Sequence, residues 1–151
     1  MKKLLAALVA VIALTAAAPA PPVVYAVNFT ASWCPNCRLS DPALKKALLN
    51  LADPAIEEVR IDTSNDQTWD ASTQRAVDKG VVQVHNMYLG VTGLIVLTAA
   101  DTGERVSCLT ARIDADAMAL LISRAKARVQ STPPGQRFTG DLHCPAPPRR
   151  G

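Results

Sequence analysis

The stretch "NFTASWCPNCRLSDP" (Asn28 to Pro42) places two cysteines, Cys34 and Cys37, where an apolar run ends and an amphipathic pattern begins. Residues three apart lie one turn apart on the same side of a helix, so a helix beginning at this point brings both sulfurs within reach of each other. Before them, "VVYAVNFT" (Val23 to Thr30) is short, apolar and preceded by prolines, as a buried strand would be. After them, Leu44, Ala47, Leu48 and Leu51 recur at i, i+3, i+4 and i+7, with Arg38, Lys45 and Lys46 between. This spacing predicts one amphipathic helix from about Pro35 to Leu51. The chain is thereby held to a strand, a tight turn and a helix, with two thiols at the junction.

The rest of the pattern builds around that unit. "EEVRID" (Glu57 to Asp62) reads as a second strand and Ser72 to Lys79 as a short helix that Gly80 can close. "GLIVLTA" (Gly93 to Ala99) reads as a third strand, and "DTG" at 101 to 103 as a turn into a fourth, Glu104 to about Leu109. A last helix starts near Asp114, a capping residue, and carries Met118, Leu121, Ile122, Ala125 and Val129 on one face. The order is βαβα and then ββα. Strands joined through a helix are expected to be parallel, and the hairpin adds two more to the same sheet. The expected fold is α/β in three layers, helices on both faces of a four-stranded mixed sheet.

The N-terminus follows another logic. "MKKLLAALVAVIALTAAAPAPP" has two lysines, an apolar run from Leu4 to about Ala18 and small residues in Ala-x-Ala spacing. This is the layout of a secretory signal, and residues 1–20 are expected to be cleaved. A transmembrane anchor competes as a reading, but Thr15 and the prolines at 19, 21 and 22 interrupt the run before the ~20 residues that a spanning helix needs. The domain is then expected over 21–129. From residue 130 a Pro/Gly-rich C-terminal tail, "STPPGQRFTGDLHCPAPPRRG" after Gln130, runs to 151. Processing removes Lys2 and Lys3 from 16 basic residues against 13 acidic ones, so the formal charge falls from +3 to about +1. No basic stripe interleaved with aromatics appears, and no nucleic-acid partner is expected. Export implies an oxidising compartment, periplasm or exterior, where disulfides persist.

At a helix N-terminus the Cys34 sulfur faces unpaired amides and the positive end of the dipole, which favours thiolate and makes it a nucleophile. Cys34 is expected to attack a partner's disulfide and Cys37 to release it, or the reverse sequence oxidises. Here "WCPNC" between that strand and that helix resembles the thioredoxin family, over roughly Val23 to Arg128. Phe29, Pro42 five residues after the second cysteine, and "YLGVTG" followed by a strand and "TGE" are further similarities. The resemblance implies a minimal thioredoxin-like core without the family's leading strand and helix. It also implies a proline at about Ile95, opposite the cysteines, and a buried acid at Asn28. This chain has no proline between Pro54 and Pro133, so the peptide at Ile95 is expected to be trans. Asn28 exchanges no proton, and Glu58 is a candidate substitute beside the reading of an exposed strand-end glutamate. The dipeptide Pro35-Asn36 between the cysteines is shared in its first member with more oxidising relatives.

Alternatives stay open at this point. Cys34 and Cys37 can be a static disulfide or half of a metal site, whose other candidates are Cys108, Cys144, His85 and His143. Four cysteines allow three pairings; the preferred one joins Cys108 to Cys144 as a staple for the tail. Trp33 is expected as a half-buried lid beside the pair, Trp69 as cover for the short helix, and His85 as an exposed or core imidazole. The expected function is an exported, monomeric thiol-disulfide oxidoreductase, with protein thiol or disulfide clients, a redox partner protein, no cofactor and no stable membrane span. Its alternatives are a thiolate carrier of copper or zinc and a degenerate binding module.

Overall fold

The computed structural model describes residues 20–140 and 144–148. The predicted leader, apart from Ala20, and His143 lie outside the described residues. The elements run β1 (Val24–Thr30), α1 (Cys37–Leu51), β2 (Ile56–Asp62), α2 (Asp66–Asp78), α3 (Val82–Met87), β3 (Leu94–Ala99), β4 (Arg105–Thr110) and α4 (Ala115–Ser131). They form a four-stranded mixed sheet in the order β2-β1-β3-β4, with β1 parallel to β2 and antiparallel to β3, and with β3 and β4 paired as an antiparallel hairpin.

Alternation along β1 divides the core. Val24 and Ala26 join Leu44 and Ala47 of α1 and Met118 and Ile122 of α4. Tyr25, Val27 and Phe29 face the other way, toward Ala76 of α2 and Val84 and Tyr88 at α3. Both central strands are therefore buried along their whole length, as expected of a sheet covered on both faces. Each fully buried Leu, Ile or Phe here stabilises the fold by about 1.5–3 kcal/mol. In the hairpin turn Gly103 has φ +69°, and a Cβ there would meet the Gly80 carbonyl oxygen at 2.4 Å. Only glycine fits that approach.

The helices between β2 and β3 depart from the pattern reading. Helix α2 begins at Asp66, ahead of the expected Ser72, because Asn65 and Thr68 form a reciprocal capping box. Its buried side chains are Ser72 and Ala76, too polar and too small to show as an apolar stripe. Helix α3 has no counterpart in the pattern, since Val81, Val82 and Val84 favour strand by local propensity.

The outer edge of β2 pairs with no further strand among the described residues. Side chains of α2 meet its backbone instead. Ser72 Oγ accepts from Asp62 N–H (2.8 Å) and donates to Asp62 O (3.1 Å), while Arg75 Nη1 donates to Arg60 O (2.7 Å). Glu57, Glu58 and Arg60 add charge along the same edge, a common guard against strand addition.

The tail is irregular yet pinned. Arg128 of α4 donates to the carbonyls of Gln136 and Arg137, and Gly135 N–H and Arg137 N–H donate to the Glu104 carboxylate. Thr139 N–H bonds Val106 O, covering part of the β4 edge. The buried Arg137 guanidinium lies 2.6 Å from Asp101 and holds that carboxyl below its usual range. Lys126 of α4 pairs with Asp53, whose carboxyl is likewise lowered by this bond and by Ala55 N–H.

Both aspartates thus titrate in the folded chain below the ~3.9 of an unfolded one. Their contribution is complete above that value and is lost as pH falls through the folded values. The urea midpoint is expected to stay level from about pH 7 to 5 and to drop below about pH 4. Asp101→Asn is expected to lower the neutral midpoint, by leaving Arg137 buried without its counter-charge, and to shallow the acid limb. An unchanged midpoint at pH 7 in that variant would remove this pair from the account. Among the described residues no helix is long and apolar enough to cross a membrane.

Candidate active site

Strand β1 delivers the chain to a tight turn in which Cys34 N–H bonds Ala31 O at 3.1 Å. Cys37 is the first residue of α1, and Cys34 and Cys37 are bonded to each other, with S–S 2.18 Å and Cα–Cα 5.3 Å. Asn36, the N-cap, makes no side-chain capping bond, and the first turn of α1 holds no acid. The helix's positive end is therefore not offset by its own side chains. The Cys37 N–H lies 3.1 Å from Cys34 Sγ, and Cys37 Sγ lies 3.9 Å from Phe29 O. With the bond opened, that N–H and the dipole favour negative charge on Cys34.

Both cysteines are covered, Cys34 to 2% and Cys37 to 3% exposure, while Pro35 and Asn36 are exposed. Trp33 departs from the expected half-buried lid: at 59% it stands out from the surface, because the turn buries Ala31, Cys34 and Cys37 and leaves the indole outside that cluster. The cover over Cys34 includes Gly93. Its φ is +76°, and a Cβ there would stand 2.6 Å from Asn36 Cβ and 3.5 Å from Cys34 Sγ. Its N–H bonds Phe29 O at 2.8 Å, tying this loop to β1.

Ile95 is not brought to the pair. It pairs with Asn28 and Leu109 in the sheet and is buried in the cluster with Leu44, Met118 and Ile122, two residues beyond the glycine that meets the sulfur. The described residues contain no cis peptide bond.

Asn28 is fully buried and joins two carboxylates: its Nδ2 donates to Asp41 Oδ1 (3.2 Å) and Glu58 Oε1 (3.0 Å). Its Oδ1 is buried without a partner. Thr30 Oγ1 donates to Asp41 Oδ2 (2.8 Å), which also receives Arg60 (3.2 Å). Glu58 is thus both exposed at the strand edge and bonded to Asn28. Asp41 escapes the pattern reading. Its signal is its position four residues after Cys37, one turn along the same side of α1. Nearby, burial pushes the Asp62 carboxyl up, but bonds from Ser64 and the charge of Arg60 outweigh it and hold the carboxyl low.

Cys108 and Cys144 are bonded as the preferred pairing expects, S–S 2.03 Å, with Cys108 fully buried on β4. The bond brings the tail, which thereby forms a strap, to Tyr88, whose hydroxyl donates to Pro145 O at 3.2 Å. His85 is buried, its ring 5.7 Å from that of Trp69, with Nδ1 beside Asn86 Oδ1 and Nε2 lacking a hydrogen-bond partner. Neither residue touches the cysteine pair in any described contact. Among the described residues no three His, Cys, Asp or Glu side chains gather as metal ligands.

A four-stranded mixed α/β sheet with a bonded Cys-x-x-Cys pair at the strand-to-helix junction is what the fold and site define. Compared with protein-family models, curated proteins and solved structures, the chain finds no match.

Proposed function

We propose that this chain is an exported thiol-disulfide oxidoreductase of thioredoxin-like type, exchanging disulfides with cysteine-containing client proteins. The observation that carries the reading is the bonded Cys34–Cys37 pair at the unneutralised N-terminus of α1, with the Cys37 N–H directed at Cys34 Sγ. In the reducing direction the Cys34 thiolate attacks one sulfur of a client disulfide, forming a mixed disulfide and expelling the other client sulfur as thiolate. Cys37 then loses its proton to a base, for which Asp41 one turn along α1 is the carboxylate at hand, and attacks Cys34 Sγ. The internal disulfide forms, the second client sulfur leaves, and two electrons have passed to the client. Run backward, the same steps oxidise a client dithiol. A redox partner protein restores the starting state.

The test is the acidity of Cys34. Alkylation of the reduced protein by iodoacetamide, followed across pH, is expected to show one thiol titrating well below the roughly 8.5 of an ordinary cysteine. A fast-reacting thiol with an ordinary titration would end the proposal.

A further inference from the structure

Beside the cysteine pair lies a groove of about 390 Å³, lined by Asn36 before α1, by Val91, Thr92, Gly93 and Leu94 leading into β3, by Thr110, Ala111 and Arg112 after β4, and by Pro145 of the strap. It lies next to the reactive sulfur, since Gly93, one of its lining residues, is so close that a Cβ there would stand 3.5 Å from Cys34 Sγ. Its fourth wall is held by the covalent Cys108–Cys144 bond and by the hydrogen bond from the Tyr88 hydroxyl to Pro145 O.

The charge of this groove is one-sided. Among the described residues Arg112 is the one charged residue lining it, and there it is exposed and makes no hydrogen bond or ion pair. The carboxylates near the site, Asp41, Glu58 and Asp62, belong to the β2 flank, where Asn28, Thr30, Arg60 and Ser64 engage them. A larger pocket of about 530 Å³, between α4, β4 and the tail, contains neither Gly93 nor Asn36, the groove residues next to the cysteine pair.

We propose that this groove seats an extended client segment carrying a carboxylate close to its reactive cysteine, with Arg112 as the residue that selects for that acid. The inference rests on the oxidoreductase reading and names its client chemistry: acidic peptide on the groove side. A guanidinium with no ion pair among the described residues, lining a groove next to the nucleophile, raises encounter with anionic segments and penalises cationic ones.

The experiment uses the full reduced chain and three peptide disulfides differing only in the residue beside the cysteine, Glu, Gln or Lys, together with uncharged hydroxyethyl disulfide and glutathione disulfide. At low salt the Glu peptide is expected to exceed the Lys peptide in kcat/KM by about fivefold, the range of one exposed charge pair. The difference should lie in KM and shrink in about 0.5 M salt. Arg112→Ala is expected to bring the Glu-to-Lys ratio near one, and Arg112→Glu to invert it. A ratio near one in the parent chain, or one that persists in Arg112→Ala, overturns the inference. So does glutathione disulfide outpacing the Glu peptide through Arg112, which would assign the groove to the free tripeptide. Failure to reduce even hydroxyethyl disulfide sinks the oxidoreductase reading itself, so the two failures are distinct.

Discussion

Cys34→Ser is expected to abolish disulfide exchange, with turnover of a model disulfide falling to the uncatalysed rate. A hydroxyl at this position is not ionised by a helix dipole or by one N–H at 3.1 Å, so the attacking group is lost outright. The fold should survive, because serine is nearly isosteric and the four-residue loop closed by Cys34 and Cys37 restricts the unfolded chain little compared with the longer one closed by Cys108 and Cys144. A near-parental urea midpoint would document this. Cys37→Ala separates the two halves of the cycle: the first attack proceeds and the mixed disulfide accumulates on Cys34, where captured clients can be identified. Asp41→Asn should lengthen the life of the same intermediate without blocking its formation. Retained turnover in Cys34→Ser would show that another sulfur does the chemistry.

The second large effect concerns stability. The Cys108–Cys144 bond joins residues 36 apart, and such a loop is worth about 2–4 kcal/mol in restricting the unfolded chain. Cys144→Ser is the cleaner variant, because Cys144 is only half-buried while Cys108 is fully buried and tolerates existence as an apolar thiol. The thermal midpoint is expected to fall by on the order of 10 °C for a chain of this size. The strap retains Arg137 on Asp101 and its backbone bonds to Glu104, so the loss should be of stability rather than of fold. A midpoint within experimental error of the parent would mean that those polar contacts alone set the strap.

Much of the architecture was legible because its signals are periodic. The strand before Cys34, the Leu44–Leu51 stripe and the Met118–Val129 face are long apolar patterns, and each became an element close to its expected bounds. The region between β2 and β3 was less legible, since α2 is specified by a polar capping box and buries only small side chains, and α3 is a short helix written in valines. At the site, spacing alone placed Cys34 and Cys37 together. It did not place Gly93 over the sulfur or Asp41 on Asn28, because those contacts depend on how a loop, a helix and a strand meet in space, and Glu58 is a candidate beside Asn28 only through the family resemblance. The tail's composition spoke of irregularity and cysteine parity favoured its staple through Cys108 and Cys144, while its anchoring through Arg137 emerges only from the packed structure.

The serine of α2 that serves both the amide and the carbonyl of Asp62 works as a plug at one side of the sheet. A hydroxyl donates and accepts at once, so a single small side chain occupies two sockets that a neighbouring molecule's backbone would otherwise fill. Addition of a further strand along β2 is thereby obstructed at Asp62, the end nearest the cysteine turn.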